Sequence, residues 1–218
     1  MTSYPSTSRG FSLVELSIVL VIVGLVIAGM LVPLSAQIDQ KNYNETQKTM
    51  TEIRDGLIGY ASSNGYLPCP DITGDGVEDR DTTTGVCLAN PTEGDLPWAD
   101  LGMGKQDAWG QKYQYRVAQD FANSGNRITL ASAAASGFLM TISDSSGTNL
   151  ALRVPAVVVS KGKSGAGTGA NEQENSDKDV FFVSDVPSAV AGNAFDDIVV
   201  WVPSTLLLSR MISAGKLP

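Results

Sequence analysis

The hydrophobic pattern of the chain changes twice. From Phe11 to Ala36 it reads FSLVELSIVLVIVGLVIAGMLVPLSA, and between Leu16 and Val32 the only polar side chain is Ser17. An unbroken apolar run predicts a helix that is hydrophobic all round, long enough to cross a hydrocarbon core of roughly 30 Å. Over 37–64 the run gives way to a stripe. Tyr43, Met50, Ile53, Leu57 and Tyr60/Ala61 recur at three- and four-residue spacings among polar residues. That spacing predicts an amphipathic half of the same helix, with one face ready to lie against a sheet. Gly65 is a stop signal. A helix over 11–64 would be roughly 80 Å long, with Pro33 expected to kink or locally melt it.

Beyond 65 the pattern turns to short alternating or apolar runs separated by Gly, Pro, Asn and Asp. Strands are predicted at 113–117, 127–130, 138–143, 152–160, 180–183 and 198–202. A short helix is predicted from Ser204 to a cap near Gly215. Segment 161–179, KGKSGAGTGANEQENSDKD, is expected to be a long exposed loop. The fold class is therefore α+β: a long amino-terminal helix, with a membrane half and an amphipathic half, packed on an antiparallel β-sheet head at 65–218.

Composition removes several chemistries. The chain has 218 residues, no histidine and a formal charge of -8. An acidic balance gives no electrostatic basis for nucleic-acid binding. The missing imidazole removes the commonest general base and every His-containing triad or zinc site. Gly162-Lys163-Ser164 lacks the glycine a phosphate loop needs five residues earlier, where Val157 stands. Cys69 and Cys87 are the only cysteines; in an exported domain they are expected to form a disulfide closing loop 69–87. That loop carries Asp71, Asp75, Asp79 and Asp81. Oxygen ligands at alternate positions make it a candidate calcium loop, although Thr82 stands where an EF-hand places its glutamate. Glu172, Glu174, Asp177 and Asp179 form a second acidic group, and Asp196 with Asp197 a third. No other cofactor is expected.

The amino end carries the sharpest signal. Arg9 is the only charge before the apolar run, which suggests that the short amino end stays inside while the acidic remainder is exported. Glu15 is anomalous, because a carboxylate among apolar side chains needs a partner. A cut between Gly10 and Phe11 would create an α-amine four residues before it. Arg9-Gly10 followed by FSLVELSIVLVIVG resembles the leader and first helix of type IV pilins and type II secretion pseudopilins. That resemblance implies a leader at 1–10, cleavage after Gly10 by a prepilin peptidase, N-methylation of Phe11, and an assembly role for Glu15. The stretch Asp107-Ala108-Trp109-Gly110 with Tyr113 and Tyr115 resembles the DPWGxxYxY segment entering the head sheet of major pseudopilins, with Ala108 in place of the proline.

The function implied by the resemblance is that of a structural subunit, a minor pilin of a type IV pilus-like filament, or alternatively a pseudopilin of a type II secretion system. Its partners would be other pilin subunits, the prepilin peptidase and an inner-membrane assembly platform. It would sit in the inner membrane by one pass with a periplasmic head, then in a periplasmic or cell-surface filament. A membrane-anchored enzyme and an anchored binding module are the readings from other classes. Both lack a nucleophile with its base or a defined ligand motif.

Overall fold

The computed structural model describes residues 10–89, 92–132, 139–165, 167–190 and 192–217, without the side chains of 28–34. Residues 1–9 of the leader expected at 1–10, and the first residue of the strand expected at 138–143, lie outside the described residues. The chain divides into two compact units, Met1–Lys41 and Asn42–Pro218. Helix α1, Leu13–Asn64, contributes to both and stays helical through Pro33.

The second unit is a helix-plus-sheet fold. Strands β1 (Glu93–Asp95), β2 (Gln114–Val117), β5 (Ala156–Ser160) and β7 (Ile198–Val202) form a four-stranded antiparallel sheet in the order β1-β2-β5-β7. Strands β4 (Asn149–Val154), β3 (Met140–Ser143) and β6 (Phe181–Val183) form a second sheet in the order β4-β3-β6. In it β3 and β6 run parallel, so the head is not the uniformly antiparallel sheet expected. Short helices α2 (Trp98–Leu101), α3 (Gln119–Ala122) and α4 (Ala170–Glu174) lie between strands, and α5 (Ser204–Ser213) closes the fold.

Two hydrophobic clusters explain this arrangement. The stripe of α1 supplies Met50, Ile53, Leu57 and Ala61, all 0% exposed, to a core shared with Tyr113, Tyr115, Val158, Leu207 and Met211. Each large aliphatic buried there contributes about 2 kcal/mol. The second cluster joins Met140, Ile142 and Phe182 to Val157, Val159 and Val199. Strand β5 serves both. Its alternate residues face opposite clusters, so AVVVS is buried throughout and reads as a continuous apolar run.

Three local expectations change. The strand expected over 152–160 is two strands in different sheets, divided at Pro155, whose missing N–H cannot extend a ladder. Residues 127–130 form no strand; Ile128 is buried, with its N–H on the Gly65 carbonyl. The loop expected over 161–179 contains α4.

A larger correction concerns 11–36. Among the described residues no helix is long and apolar enough to cross a membrane. The membrane-crossing assignment is therefore withdrawn. With it go the pilin-like fold with a membrane half, and the single-pass inner-membrane placement with a periplasmic or cell-surface destination.

Candidate functional site

Gly10, Phe11 and Ser12 precede the first turn of α1 in non-helical backbone, with Phe11 89% exposed. Ser12 and Glu15 then form a reciprocal cap. The Val14 N–H donates to the Ser12 hydroxyl at 3.3 Å, and the Ser12 N–H donates to Glu15 Oε2 at 2.9 Å. The Ser12 hydroxyl thus caps the second amide of the helix and Glu15 supplies the return half of a capping box, which satisfies amide donors that the helix start leaves orphaned. The Glu15 carboxylate also lies at the positive end of the helix dipole. Behind it the apolar side chains from Leu13 to Ile27 are exposed on every side of the helix.

Loop 69–87 is closed by a disulfide between Cys69 and Cys87. Its acidic residues are not gathered around a common point. The Asp71 carboxylate accepts from the Gly74 N–H at 2.6 Å and the Gly76 N–H at 2.7 Å. Asp79 accepts from the Ile72 and Thr73 N–H groups, Asp75 from that of Val77, and Asp81 from those of Thr83 and Thr84. These bonds hold Asp81 below its ordinary value. The loop's own amides thus occupy lone pairs a cation would use. Gly76 has φ 92, and a Cβ there would lie 2.3 Å from the Trp98 ring, so the turn requires glycine.

The same loop is fastened inward by Arg80. Its guanidinium pairs with Glu78 at 2.6 Å, donates to the Gly85, Ala122 and Leu67 carbonyls, and stacks 4.5 Å over the Tyr66 ring. Glu78 in turn accepts from the Cys69 N–H and the Tyr60 hydroxyl. Burial, then the Glu78 charge, push the Tyr60 hydroxyl far up.

Asp107 is a comparable anchor. Its carboxylate accepts from the Trp109 and Gln111 N–H groups and from the Ser160 hydroxyl at 2.6 Å. The neighbouring Ala108 N–H donates to the buried Thr46 of α1. Tyr113 and Tyr115 enter the core behind it, Tyr115 donating to the Pro68 carbonyl. The DAWGQKYQY stretch is therefore a folding joint between α1, β2 and β5.

Among the described residues two acidic clusters do gather. In one, carboxylate oxygens of Glu172, Asp196 and Asp197 lie within 4.8 Å of one another; in the other, those of Glu174, Asp177 and Asp179. Asp71, Asp75, Asp79 and Asp81 belong to neither. The first cluster is built by the Gly-rich loop folding back on the start of β7. Glu172 is buried and accepts from the Gly169 and Asp196 N–H groups. Asp196 accepts from the Ser164 N–H and hydroxyl, and buried Asp197 from the Asn175 amide at 2.9 Å. Gly167 packs so closely on Glu172 that a Cβ would lie 1.7 Å from Oε2. Burial first, then Glu172 and Asp196, push the Asp197 carboxyl up to about 7, against the Asn175 hydrogen bond and Lys161. Either cluster could in principle chelate a divalent ion. The sequence marks Glu172 and the Asp196/Asp197 pair separately, and only the fold joins them. The Ser12/Glu15 box, by contrast, is legible as Ser-x-x-Glu before an apolar run.

Residues 5–31 match the prokaryotic N-terminal methylation motif. The chain thus carries, at its amino end, a signature typical of type IV pilin and pseudopilin precursors. The matched span holds Gly10, Phe11 and Glu15 together with the capped first turn of α1. No curated protein and no solved structure matches the chain.

Proposed function

We propose that this protein is a non-enzymatic structural subunit, a minor pilin of a type IV pilus-like filament, cut after Gly10 and methylated at Phe11. The observation that carries the reading is a methylation motif continuous with a helix whose apolar side chains are uncovered on all sides from Leu13 to Ile27. Apolar surface of that extent needs a partner to exclude water. Equivalent helices of other subunits supply one of matching shape and polarity. The exposed, non-helical Gly10–Phe11 bond suits access by a prepilin peptidase. The remaining partners are the neighbouring subunits and the assembly platform. The head at 65–218, with its two sheets, would form the outer surface of such an assembly.

Mass spectrometry of the mature chain tests the processing step. The expected amino terminus is N-methylated Phe11, and a working protein that keeps residues 1–10 refutes it. Co-purification of tagged and untagged copies tests assembly. Glu15→Gln is expected to lower incorporation at least tenfold while leaving the head folded; normal incorporation defeats the role given to Glu15.

A further inference from the structure

A cleft of about 410 Å³ opens at the end of the four-stranded sheet where β1 ends, β2 begins and β5 ends. Its charged lining is Glu93, Asp95, Lys112, Lys161 and Lys178. The two acids are neutralised within the fold. Glu93 pairs at 2.8 Å with the buried Arg116, and Asp95 pairs with Lys112. The ammonium groups of Lys161 and Lys178 have no hydrogen bond or ion pair among the described residues. Lys161 is felt by the Asp197 carboxyl only as the weakest of its influences. Asp177 and Asp179, which flank Lys178 in sequence, are absent from the lining and gather with Glu174 instead. Two lysines without an ion pair among the described residues therefore line one cleft in a chain of formal charge -8.

Lys178 is also held there against its local preference. Its φ is 66, in the left-handed region that disfavours a residue with a Cβ. The Arg116 guanidinium fixes that backbone by donating to the Lys178 carbonyl at 2.7 Å. Glycine or asparagine would fit the conformation with less strain, so the lysine gains nothing locally from standing there. Gly94, Gly110, Gln111 and Gln114 complete the lining.

We propose that this cleft binds an oxyanion, a phosphate or sulfate group, between the ammonium groups of Lys161 and Lys178. An ammonium acts as a point charge with rotatable donors, which suits a tetrahedral oxyanion approached from two sides. The same chemistry serves a free ion and a group carried on a polymer, and the probes separate the two. Isothermal titration calorimetry on the full chain would use inorganic phosphate in one arm and tripolyphosphate in the other. Saturable binding of inorganic phosphate assigns the site to the free ion; binding of tripolyphosphate alone assigns it to a chain of such groups. In either case Lys161→Gln combined with Lys178→Gln is expected to weaken binding at least tenfold. The control Lys48→Gln with Lys216→Gln makes the same charge change elsewhere and is expected to leave it unchanged. The proposal is overturned if neither anion binds saturably, or if the cleft variant loses no more affinity than the control.

Discussion

Replacing Asp197 by Asn is expected to abolish most of the pH dependence of stability between pH 5 and pH 8. Burial is the first cause. Asp197 is 4% exposed, and its carboxylate oxygen lies within 4.8 Å of oxygens from Glu172 and Asp196. Water is excluded and the nearest charges are of like sign, so the ionised form is disfavoured twice. The carboxyl is raised from 3.8 to about 7. Between those values the folded protein holds a proton that the unfolded chain has released. Stability from this group is therefore complete below pH 3.8 and is lost as pH rises through 7. The full displacement corresponds to about 4 kcal/mol, more than half of which falls between pH 5 and pH 8.

That window is otherwise quiet, because the chain has no histidine. Glu174 is raised as well, by burial first and then by Asp177 and Asp179, so it acts in the same direction. Asp81, Asp144 and Asp185 are lowered by hydrogen bonds and act oppositely, losing their contribution only as pH falls toward the acid range. Urea unfolding followed by tryptophan fluorescence, in a chelating buffer at half-unit pH steps, reads the slope directly. Wild type should weaken steadily from pH 5 to pH 8, and Asp197→Asn should stay nearly level and exceed wild type at pH 8. An asparagine oxygen can still accept from the Asn175 amide, so the variant keeps that bond. A flat wild-type profile, or a variant with the wild-type slope, would refute the reasoning.

Arg80→Ala strips the counter-charge from Glu78, whose side chain is 16% exposed, and should destabilise the fold by about 3–5 kcal/mol in chemical unfolding; a loss under about 1 kcal/mol would show that water replaces the guanidinium. Cys69→Ser with Cys87→Ser opens a loop of sequence separation 18 and should lower stability by about 3 kcal/mol. A melting temperature unchanged in that double variant would mean that Arg80 and Glu78 alone hold the loop.

The parts legible in the sequence are those with a local period or a local cap. The α1 stripe at Met50, Ile53, Leu57 and Ala61 lands in the core because helical spacing alone fixes which face they share. Strands β2, β6 and β7 fall within a residue of their expected limits for the same reason. The illegible parts depend on distant partners. Strand β1, EGD, has no apolar pattern and exists because Glu93 and Asp95 pair across to Arg116 and Gln114. Leu152 and Val157 resemble one strand in sequence, because a single proline between apolar runs does not reveal that its two sides join different sheets. The calcium expectation for Asp71, Asp75, Asp79 and Asp81 weighs side-chain oxygens by spacing. It omits the competing donors, the loop's own N–H groups, which a tight Gly-rich turn points inward. Glu172 meets Asp197 only after the Gly-rich loop folds back on β7. The membrane expectation at the amino end rests on the apolar run alone, and among the described residues no helix is long and apolar enough to cross a membrane.

The cap on Glu15 also alters the energetics of the proposed assembly. A bare carboxylate entering an apolar helix bundle would gain the whole attraction of any amine it met. In the free subunit, however, Glu15 is exposed and already accepts from the Ser12 N–H at 2.9 Å, at the positive end of α1. Such a box is worth about 1 kcal/mol to the helix. Burial among neighbouring helices removes water from that carboxylate but need not break its bond to Ser12. The capped start would therefore lower the desolvation penalty that the proposed assembly must offset, and an incoming α-amine would complete a site already half built. In the proposed assembly Glu15 would act twice, first as the residue that orders the start of the helix and afterwards as the acceptor for the new amine. Glutamine at 15 keeps an acceptor for Ser12 but not the charge. The proposed loss of assembly in Glu15→Gln, with the first turn intact, thus isolates the second role from the first.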